Sequence, residues 1–284
     1  KWSYFEVFKL NHAIEFGNHV LLQTSFTSQR QRPAARLHFI TADAAADTMR
    51  ALQTSDLGIH LRWAPNEAYF QRNLERTPII NAYPVFNFRY NIGFTGLFGG
   101  EYNYHAFRMD ILKRIFLSQL GYADVNFGAG YIFGTVPFPL LEIPNANKTY
   151  LLLPDSYSLM NNLEFASDQY LKLRIEHRLH GFILNKIPLI KQLKLRELAS
   201  VKLLYGDIRP ENRPENNRDV FRFPTDTEGN PITFTLGRKP YVEASFGVEN
   251  ILNVLRIEYV RRLSYLDHPG INKGGIRFSV KVDF

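Results

Sequence analysis

The sequence contains no cysteine and no long hydrophobic segment. The absence of cysteine excludes disulfides, thiolate nucleophiles and cysteine-ligated metal sites. No segment approaches the roughly 20 consecutive apolar residues that a membrane-spanning helix needs. This second absence does not exclude a membrane protein, because each strand of a transmembrane β-barrel needs only about 9 to 11 residues and alternates apolar with polar positions.

The compact motifs of several enzyme classes are also missing. We find no His-Glu-x-x-His metalloprotease spacing, no Gly-x-Ser-x-Gly nucleophile elbow and no phosphate-binding Gly-x-x-x-x-Gly-Lys. His177 and His180 are three residues apart, which places them on opposite faces of a strand and disfavours shared metal ligation. We therefore expect no catalytic residue, no cofactor and no metal, and a non-enzymatic role. One alternative stays open, a barrel-embedded lipid or peptide hydrolase whose triad is assembled from neighbouring strands.

The composition is rich in aromatic residues and mildly basic. Aromatic residues make up 14% of the chain, with 23 Phe and 15 Tyr against 2 Trp, and the net charge is +7. Such aromatic content suits the interfacial girdles of a barrel, although the core of a soluble all-β binding domain would use it too. The basic residues alternate with apolar ones instead of clustering, so we expect no nucleic-acid partner.

The last eleven residues alternate strictly in character and predict a strand with chemically opposite faces. Their apolar face ends on the final residue, without a polar tail. This resembles the closing strand of a bacterial outer-membrane barrel, whose terminal Phe belongs to the signal that the assembly machinery reads. We interpret four residues as this C-terminal assembly signal: Phe278, Val280, Val282 and Phe284.

Similar alternation recurs along the whole chain and predicts an antiparallel transmembrane β-barrel with about thirteen visible strands. Usual bacterial barrels have an even strand number, so we expect about 14 to 16 strands in the complete barrel. The predicted strands lie near residues 3–12, 16–28, 34–41, 55–64, 83–94, 101–116, 122–133, 157–166, 169–181, 199–206, 240–250, 254–264 and 274–284.

Charged residues of both signs occupy the polar faces of the last three strands. In a closed barrel these faces would line the interior, where the charges would neutralise one another across the wall. In a soluble sandwich they would form a solvated face, and spacing alone does not separate the two. The predicted interior network comprises Glu243, Glu249, Arg256, Glu258, Arg262, Arg277 and Lys281.

The connections give the predicted barrel an orientation. If Phe284 lies at the periplasmic end, residues 264–273 and 207–239 form external loops, because barrels prefer long outer loops and short inner turns. Two predicted inner connections, 134–156 and 182–198, are unusually elaborate. The second, with its apolar Ile187-Pro188-Leu189-Ile190 stretch, predicts an amphipathic turn at the membrane surface.

Several segments carry a resemblance to a known family. They are Gly134–Pro144, Leu159–Phe165, His180–Leu189, Lys194–Glu197, Gly247–Ile251 and the closing strand. Together they resemble the C-terminal barrel region of a Bacteroidetes-type outer-membrane family of unknown function. Members of that family carry a carboxypeptidase-regulatory-like β-sandwich before the barrel. The resemblance implies that this chain is the C-terminal part of a larger protein, and it supplies no catalytic residues.

These observations lead to one overall prediction. Residues 1–284 form one barrel domain in the outer membrane of a Gram-negative bacterium. Because no signal peptide precedes the first strand, we expect a mature or partial product. The expected role is transport, envelope biogenesis or service as a membrane-embedded component of a larger complex. The expected partners are outer-membrane lipid and lipopolysaccharide, the barrel-assembly machinery during biogenesis, and proteins of such a complex.

Overall fold

The computed structural model describes residues 3–34, 37–43, 48–71, 76–79, 83–153 and 155–280. The regular secondary structure of these residues consists almost entirely of antiparallel strands, which long and short connections link. The strands are β1 Ser3–Phe16, β2 Val20–Pro33, β3 Phe39–Ile40, β4 Thr48–Met49, β5 Leu52–Trp63, β6 Ala68–Gln71, β7 Arg76–Ile79, β8 Val85–Gly93, β9 Tyr104–Phe116, β10 Tyr122–Phe133, β11 Gln169–Arg178, β12 Arg196–Asp207, β13 Tyr241–Ile251, β14 Leu255–Arg262 and β15 Gly274–Val280.

Helical structure in the described part of the chain is limited to short turns. None of its helices has the length and apolar character needed to cross a membrane. The one α-helix among the described residues, α1, spans Pro188–Lys191. The 3-10 turns are Leu97–Gly99, Ser118–Leu120, Phe138–Leu140, Leu184–Lys186 and Pro210–Asn212.

Eleven of the described strands form one sheet in the order β1-β2-β5-β8-β9-β10-β11-β12-β13-β14-β15. Each strand pairs antiparallel with its sheet neighbours, and two small hairpins, β3-β4 and β6-β7, stand apart from this sheet. Long runs of period-two sequence produce this arrangement, because each strand then has one face that suits each side of a sheet. Within the described residues, β1 and β15 are the two edges, and the sheet is not closed.

Two of the predicted strands are wrong. Among the described residues of 34–41, Phe39 and Ile40 pair with Met49 and Thr48 outside the main sheet, and Thr41 forms an isolated bridge with Phe221. Residues 157–166 contain no strand, although most of their side chains are buried. Both segments are parts of folded loops, whose alternating apolar residues pack against other loops and against one face of the sheet instead of pairing as strands of the sheet.

The loss of the 157–166 strand changes the predicted orientation of one connection. Residues 134–168 form a single connection between β10 and β11, so the prediction of an inner connection at 134–156 is wrong. This connection lies at the same end of the sheet as the other long loops. We call that end of the sheet the long-loop end and the opposite end the short-turn end. The connections at the long-loop end are residues 34–51, 94–103, 134–168, 208–240 and 263–273. The connections at the short-turn end are residues 17–19, 64–84, 117–121, 179–195 and 252–254.

The hydrophobic core lies between the long loops and one face of the sheet. No second sheet covers that face within the described residues. One cluster contains Leu37, Phe39, Leu52, Ala106, Ile132, Val136, Phe138, Leu141, Ala166, Ile208 and Phe221. A second contains Tyr157, Met160, Phe165, Tyr170, Leu204, Leu236 and Tyr241.

Glycines on this face make room for aromatic rings from neighbouring strands. The ring of Tyr170 lies over Gly130, and the ring of Tyr104 lies over Gly93, so a side chain at either glycine would collide with the ring. Gly128 likewise makes room for the Lys172 side chain, so both Gly128 and Gly130 serve close packing on the inner side of β10.

Candidate functional site: the filled interior of the sheet

One face of the sheet buries charged side chains, and the other exposes apolar side chains, which is the inverse of a soluble protein; we call this the inverted burial of the sheet. On the inner face, defined as the face that the long loops contact, Glu243 and Arg262 are each 1% exposed. On the opposite, outer face, Phe246 is 57% and Ile276 is 58% exposed. A soluble protein buries apolar side chains and exposes charged ones. The reversed arrangement is that of a membrane barrel, whose apolar outer band faces lipid and whose interior is polar.

Connection 134–168, hereafter the inserted loop, is held on the inner face by a carboxylate of β13. The backbone N–H groups of Ser158 and Leu159 donate to the Glu243 carboxylate at 2.9 and 2.7 Å. The Tyr241 hydroxyl donates to the same carboxylate at 2.6 Å. Glu243 thus supplies the acceptors that a neighbouring strand would otherwise give to these two backbone groups.

A buried ion pair joins the loop to β14. Arg262 donates to both carboxylate oxygens of Glu164, at 2.6 and 3.0 Å. The remaining N–H groups of Arg262 donate to backbone carbonyls, including that of Leu159 at 3.3 Å. Glu164 also accepts from the Asn161 backbone N–H at 2.7 Å and contacts His268 Nδ1 at 2.8 Å. A planar guanidinium with every donor used fixes the position of the loop as well as its charge.

Further contacts tie the loop to β12 and β15. Lys202 Nζ donates to the Ser156 carbonyl at 2.6 Å, and Arg277 donates to the Ser158 carbonyl at 2.6 Å. Leu151 forms a parallel bridge with Phe278, so the loop also covers part of the free edge of β15. Covering an edge in this way satisfies backbone groups that would otherwise be available for pairing with another chain.

A third buried carboxylate, Asp168, ties connection 208–240 to the start of β11. Arg209 Nε donates to Asp168 at 3.0 Å, and Asn212 donates to it at 2.7 Å. Arg209 also donates to the Ile132 carbonyl at 2.6 Å, while Asn212 accepts from the Val136 backbone N–H at 2.8 Å. The two largest loops are therefore anchored to each other and to the sheet.

Toward the short-turn end the inner face carries an extended ion-pair network. Arg256 on β14 donates to Glu176 on β11 at 2.8 and 3.2 Å, although β12 and β13 lie between these strands. In a flat sheet these strands would be about 14 Å apart. The contact therefore requires the sheet to curl toward its inner face. The small side chains of Ser200 and Ser245, hydrogen-bonded to each other at 2.7 Å, leave room for it.

The network continues from Glu176 toward the other strands. Arg178 contacts Glu176 at 2.5 Å, Glu249 at 3.2 Å and Asp124 at 3.1 Å. Arg114 on β9 then pairs with Asp124 at 2.6 and 2.7 Å. Opposite charges from five strands are thereby neutralised on one face, in the manner of a barrel interior.

Six of the seven predicted interior residues belong to the described part of the chain and lie on the inner face, but few of them pair with one another. Arg256 and Glu258 contact each other directly. Glu249 binds Arg178, and the other three described members, Glu243, Arg262 and Arg277, bind the inserted loop. Sequence reasoning missed the partners Glu164, Glu176, Arg178 and Asp124, although Glu164 lies in one of the segments that carries the family resemblance.

The predicted assembly signal is only partly visible. Phe278 and Val280 lie on the outer face of β15 with exposed side chains. Their cross-strand partners are Ile257 and Leu255, so they continue the apolar outer band. Lys281, Val282 and Phe284 lie outside the described residues.

A polar cavity of about 340 Å³ remains between the inserted loop and the inner faces of β8 to β12. Its charged lining residues are predominantly basic: Arg89, Lys172, Arg174 and Lys202 against Asp110 and Asp155. Lys172 pairs with Asp110 at 2.8 Å and Arg174 with Asp155 at 2.9 Å. In the described part of the chain, no group of three or more His, Asp or Glu side chains is placed to hold a metal ion.

Comparison with protein families gives a match to the family of unknown function (DUF5686) C-terminal domain over residues 4–211. The chain belongs to this family. The match spans well over half of the 284 residues and ends just after β12. It confirms the resemblance to a family of unknown function that the sequence segments indicated. A comparison with curated proteins finds no match.

The chain is similar in structure to two solved proteins. The crystal structure of BamA from Haemophilus ducreyi lacking POTRA domains 1-3 is similar with a TM-score of 0.53 and 11% identity, over 98% of this chain and 54% of that chain. CdiB from Acinetobacter baumannii has a TM-score of 0.41 and 10% identity, over 98% and 50%. The chain thus spans about half the length of these structures. The likeness to BamA confirms the predicted antiparallel barrel fold.

Proposed function

We propose that the protein is an integral outer-membrane β-barrel of a Gram-negative bacterium. The inverted burial of the sheet carries this proposal. Neighbouring outer-face residues on consecutive strands, Phe246, Tyr259 and Ile276, form exposed cross-strand pairs. A continuous apolar surface of this kind must be shielded from water, and the acyl chains of a bilayer would cover the outer face of all the strands together. The soluble-domain alternative would need a second sheet on this face.

Within that membrane, we infer a role as an embedded component of a larger envelope complex, serving biogenesis or transport, and not as an open pore. The inserted loop supports this role because Glu243, Arg262 and Arg277 hold it on the inner face with buried polar contacts. A loop fixed in this way leaves the interior partly filled. Partner proteins, lipopolysaccharide and assembly by the barrel-assembly machinery belong to the same proposal.

A non-enzymatic role is also part of the proposal. The hydroxyls of Ser200 and Ser245 are hydrogen-bonded to each other, and Ser245 donates to Glu258 at 2.6 Å. A serine nucleophile is activated by an adjacent base, which in a triad is an imidazole. Here the hydroxyls continue the ion-pair network. Lipid and peptide hydrolysis assays with the purified protein test this point. Hydrolysis by the wild type that is lost when either serine is substituted would overturn the non-enzymatic role.

The family resemblance extends the proposal to the complete protein. We propose a Bacteroidetes-type origin, a barrel domain over the whole of residues 1–284, and a regulatory-like sandwich before it.

Membrane location is tested by fractionation and by gel mobility. We expect the protein to resist extraction by urea and carbonate, to require detergent, and to migrate differently before and after boiling. Extraction into buffer without detergent would contradict the membrane assignment.

The state of the interior is tested by planar-bilayer recording. Because the inserted loop partly fills the interior, we expect little or no conductance, and any residual current through the basic cavity should favour anions. A large, steady conductance of the unmodified protein would refute the embedded-component role and favour a channel.

A further inference from the structure

The connection between β11 and β12, residues 179–195, is not used by the function proposed above. It lies at the short-turn end, opposite the inserted loop. It contains the 3-10 turn Leu184–Lys186 and α1, and it is far longer than the neighbouring turns 117–121 and 252–254. Short-turn connections in barrels are usually tight, so an elaborate one calls for a physical reason.

The connection is held firmly against the sheet. The buried Glu197 carboxylate accepts the backbone N–H of Ile183 at 3.0 Å and that of Leu184. The Leu179 N–H donates to the Glu197 carbonyl at 2.9 Å. At its other end, Asn250 beside the β13-β14 turn donates to the Lys194 carbonyl at 2.8 Å. The backbone of the connection is therefore tied to the sheet near both of its ends.

Despite this anchoring, the connection exposes large apolar side chains. Leu189 is 81% exposed, and Leu252 in the adjoining turn is 86% exposed. We call the exposed apolar side chains of the three neighbouring connections the rim. They are Leu117, Leu120, Phe182, Ile183, Ile187, Leu189, Leu193, Leu252 and Val254. The rim continues the apolar outer band, because Val254 directly precedes β14 and its exposed Ile257.

The charged side chains of the same segment are all basic. Between Leu179 and Arg196 the sequence contains no Asp or Glu. Four exposed cations occur in it: Lys186, Lys191, Lys194 and Arg196. Exposed leucine and isoleucine interspersed with lysine is the composition of a segment that lies in the headgroup region of a membrane.

We propose that the rim is a lipid-docking surface that inserts its apolar side chains among the acyl chains beside the short-turn end. The lysines then contact the phosphates of anionic phospholipid headgroups. This inference rests on the membrane location proposed above and adds the lipid class. An apolar surface alone would fit a protein partner too, but the acid-free cluster of cations beside the lipid-facing band matches anionic headgroups.

Single-cysteine spin labelling tests the proposal, since the chain has no native cysteine. Labels are placed by Leu189→Cys in the rim, Phe246→Cys on the outer band and Glu228→Cys on a long loop. Each protein is reconstituted in vesicles of phosphatidylcholine mixed with phosphatidylglycerol, and collision with oxygen is compared with collision with a water-soluble nickel chelate. Heat-modifiable gel mobility verifies that each variant is folded.

We expect oxygen-dominated collision at Leu189→Cys and Phe246→Cys, and nickel-dominated collision at Glu228→Cys. Lipid exposure at Phe246→Cys with water exposure at Leu189→Cys would overturn the rim proposal and leave the membrane location standing. Water exposure at both would refute the membrane location itself.

The lipid class is tested by removing charge. Lys186→Gln, Lys191→Gln and Lys194→Gln are combined with the Leu189→Cys label. We expect the docked-to-undocked ratio of the label to fall about fivefold per lysine in vesicles with phosphatidylglycerol. In pure phosphatidylcholine the ratio should be unchanged by the substitutions. An equal ratio with and without the lysines in both lipids would overturn the anionic-headgroup assignment.

Discussion

Replacing Glu164 by glutamine tests the idea that a buried ion pair holds the inserted loop in place. The Glu164 carboxylate accepts two hydrogen bonds from Arg262, one from the Asn161 backbone and one contact from His268. Glutamine keeps the shape but replaces one acceptor oxygen with a donor and removes the charge. Arg262 would then be buried without its counter-ion.

The expected cost follows from the burial of both partners, whose side chains are 0% and 1% exposed. Removing one member of a buried ion pair costs about 3 to 5 kcal/mol. The other contacts of the loop, to Glu243 and Arg277, are unchanged by the substitution. We therefore expect the equilibrium between seated and displaced loop to shift by about two to three and a half orders of magnitude.

Cysteine labelling measures this shift. The Ser158 hydroxyl is buried and, within the described residues, has no hydrogen-bond partner, so Ser158→Cys is a nearly isosteric reporter. The rate of maleimide reaction at this cysteine reports how often the inserted loop is displaced from the inner face of the sheet. The matched control is Glu6→Gln, because Glu6 and Arg32 form an exposed pair at 2.8 Å that contributes about 0 to 1 kcal/mol.

The reasoning predicts a labelling rate that rises at least a hundredfold with Glu164→Gln and stays within a few-fold with Glu6→Gln. The double substitution Glu164→Gln with Arg262→Met should recover much of the loss, because it removes the unpaired charge as well. A labelling rate unaffected by Glu164→Gln would show that the ion pair does not hold the loop.

Three further outcomes are expected. Asp168→Asn should destabilise the protein by about 3 kcal/mol in urea unfolding, because it leaves Arg209 with only the half-exposed Glu211 as counter-ion. Glu176→Gln should cost about 1.5 to 3 kcal/mol in the same assay, and no loss there would contradict the ion-pair network. Hydrogen bonding by the Arg62 guanidinium lowers the pKa of the Glu67 carboxyl below its ordinary value of 4.5. Its stabilisation is therefore present above pH 4.5 and lost as pH falls through the lowered pKa. The stability difference between the wild type and Glu67→Gln should vanish over that acid range, and a difference that persists below it would refute the assignment.

Strand positions and face assignments followed from the sequence because side-chain alternation is a local property. The strand predicted at 122–133 matches β10, Tyr122–Phe133, at both ends. The assignment of Glu243, Arg256 and Arg262 to the polar face agrees with their places on β13 and β14. A period of two assigns every side chain to one of two faces, and each strand satisfies it without reference to its neighbours.

The strand predictions were wrong where the same alternation of apolar and polar residues belongs to a loop that packs on the sheet. Leu159, Phe165 and their neighbours alternate with polar residues, but their partners are side chains of the sheet and other loops. The local sequence does not distinguish a strand from an extended loop that packs on the polar face of a sheet. The hydrogen bonds from the loop backbone to Glu243 make this segment a loop, and Glu243 is more than 80 residues away in the chain.

The sequence by itself therefore determined the fold class, most of the strands, and which side chains face inward. Only the tertiary structure decided what those inward charges contact. Arg262 meets Glu164 across a separation of 98 residues, and Arg256 meets Glu176 across 80. Such pairs depend on how far the sheet curls and on which loop folds back onto it. Curvature and loop insertion are set by contacts between distant segments, so local periodicity does not encode them.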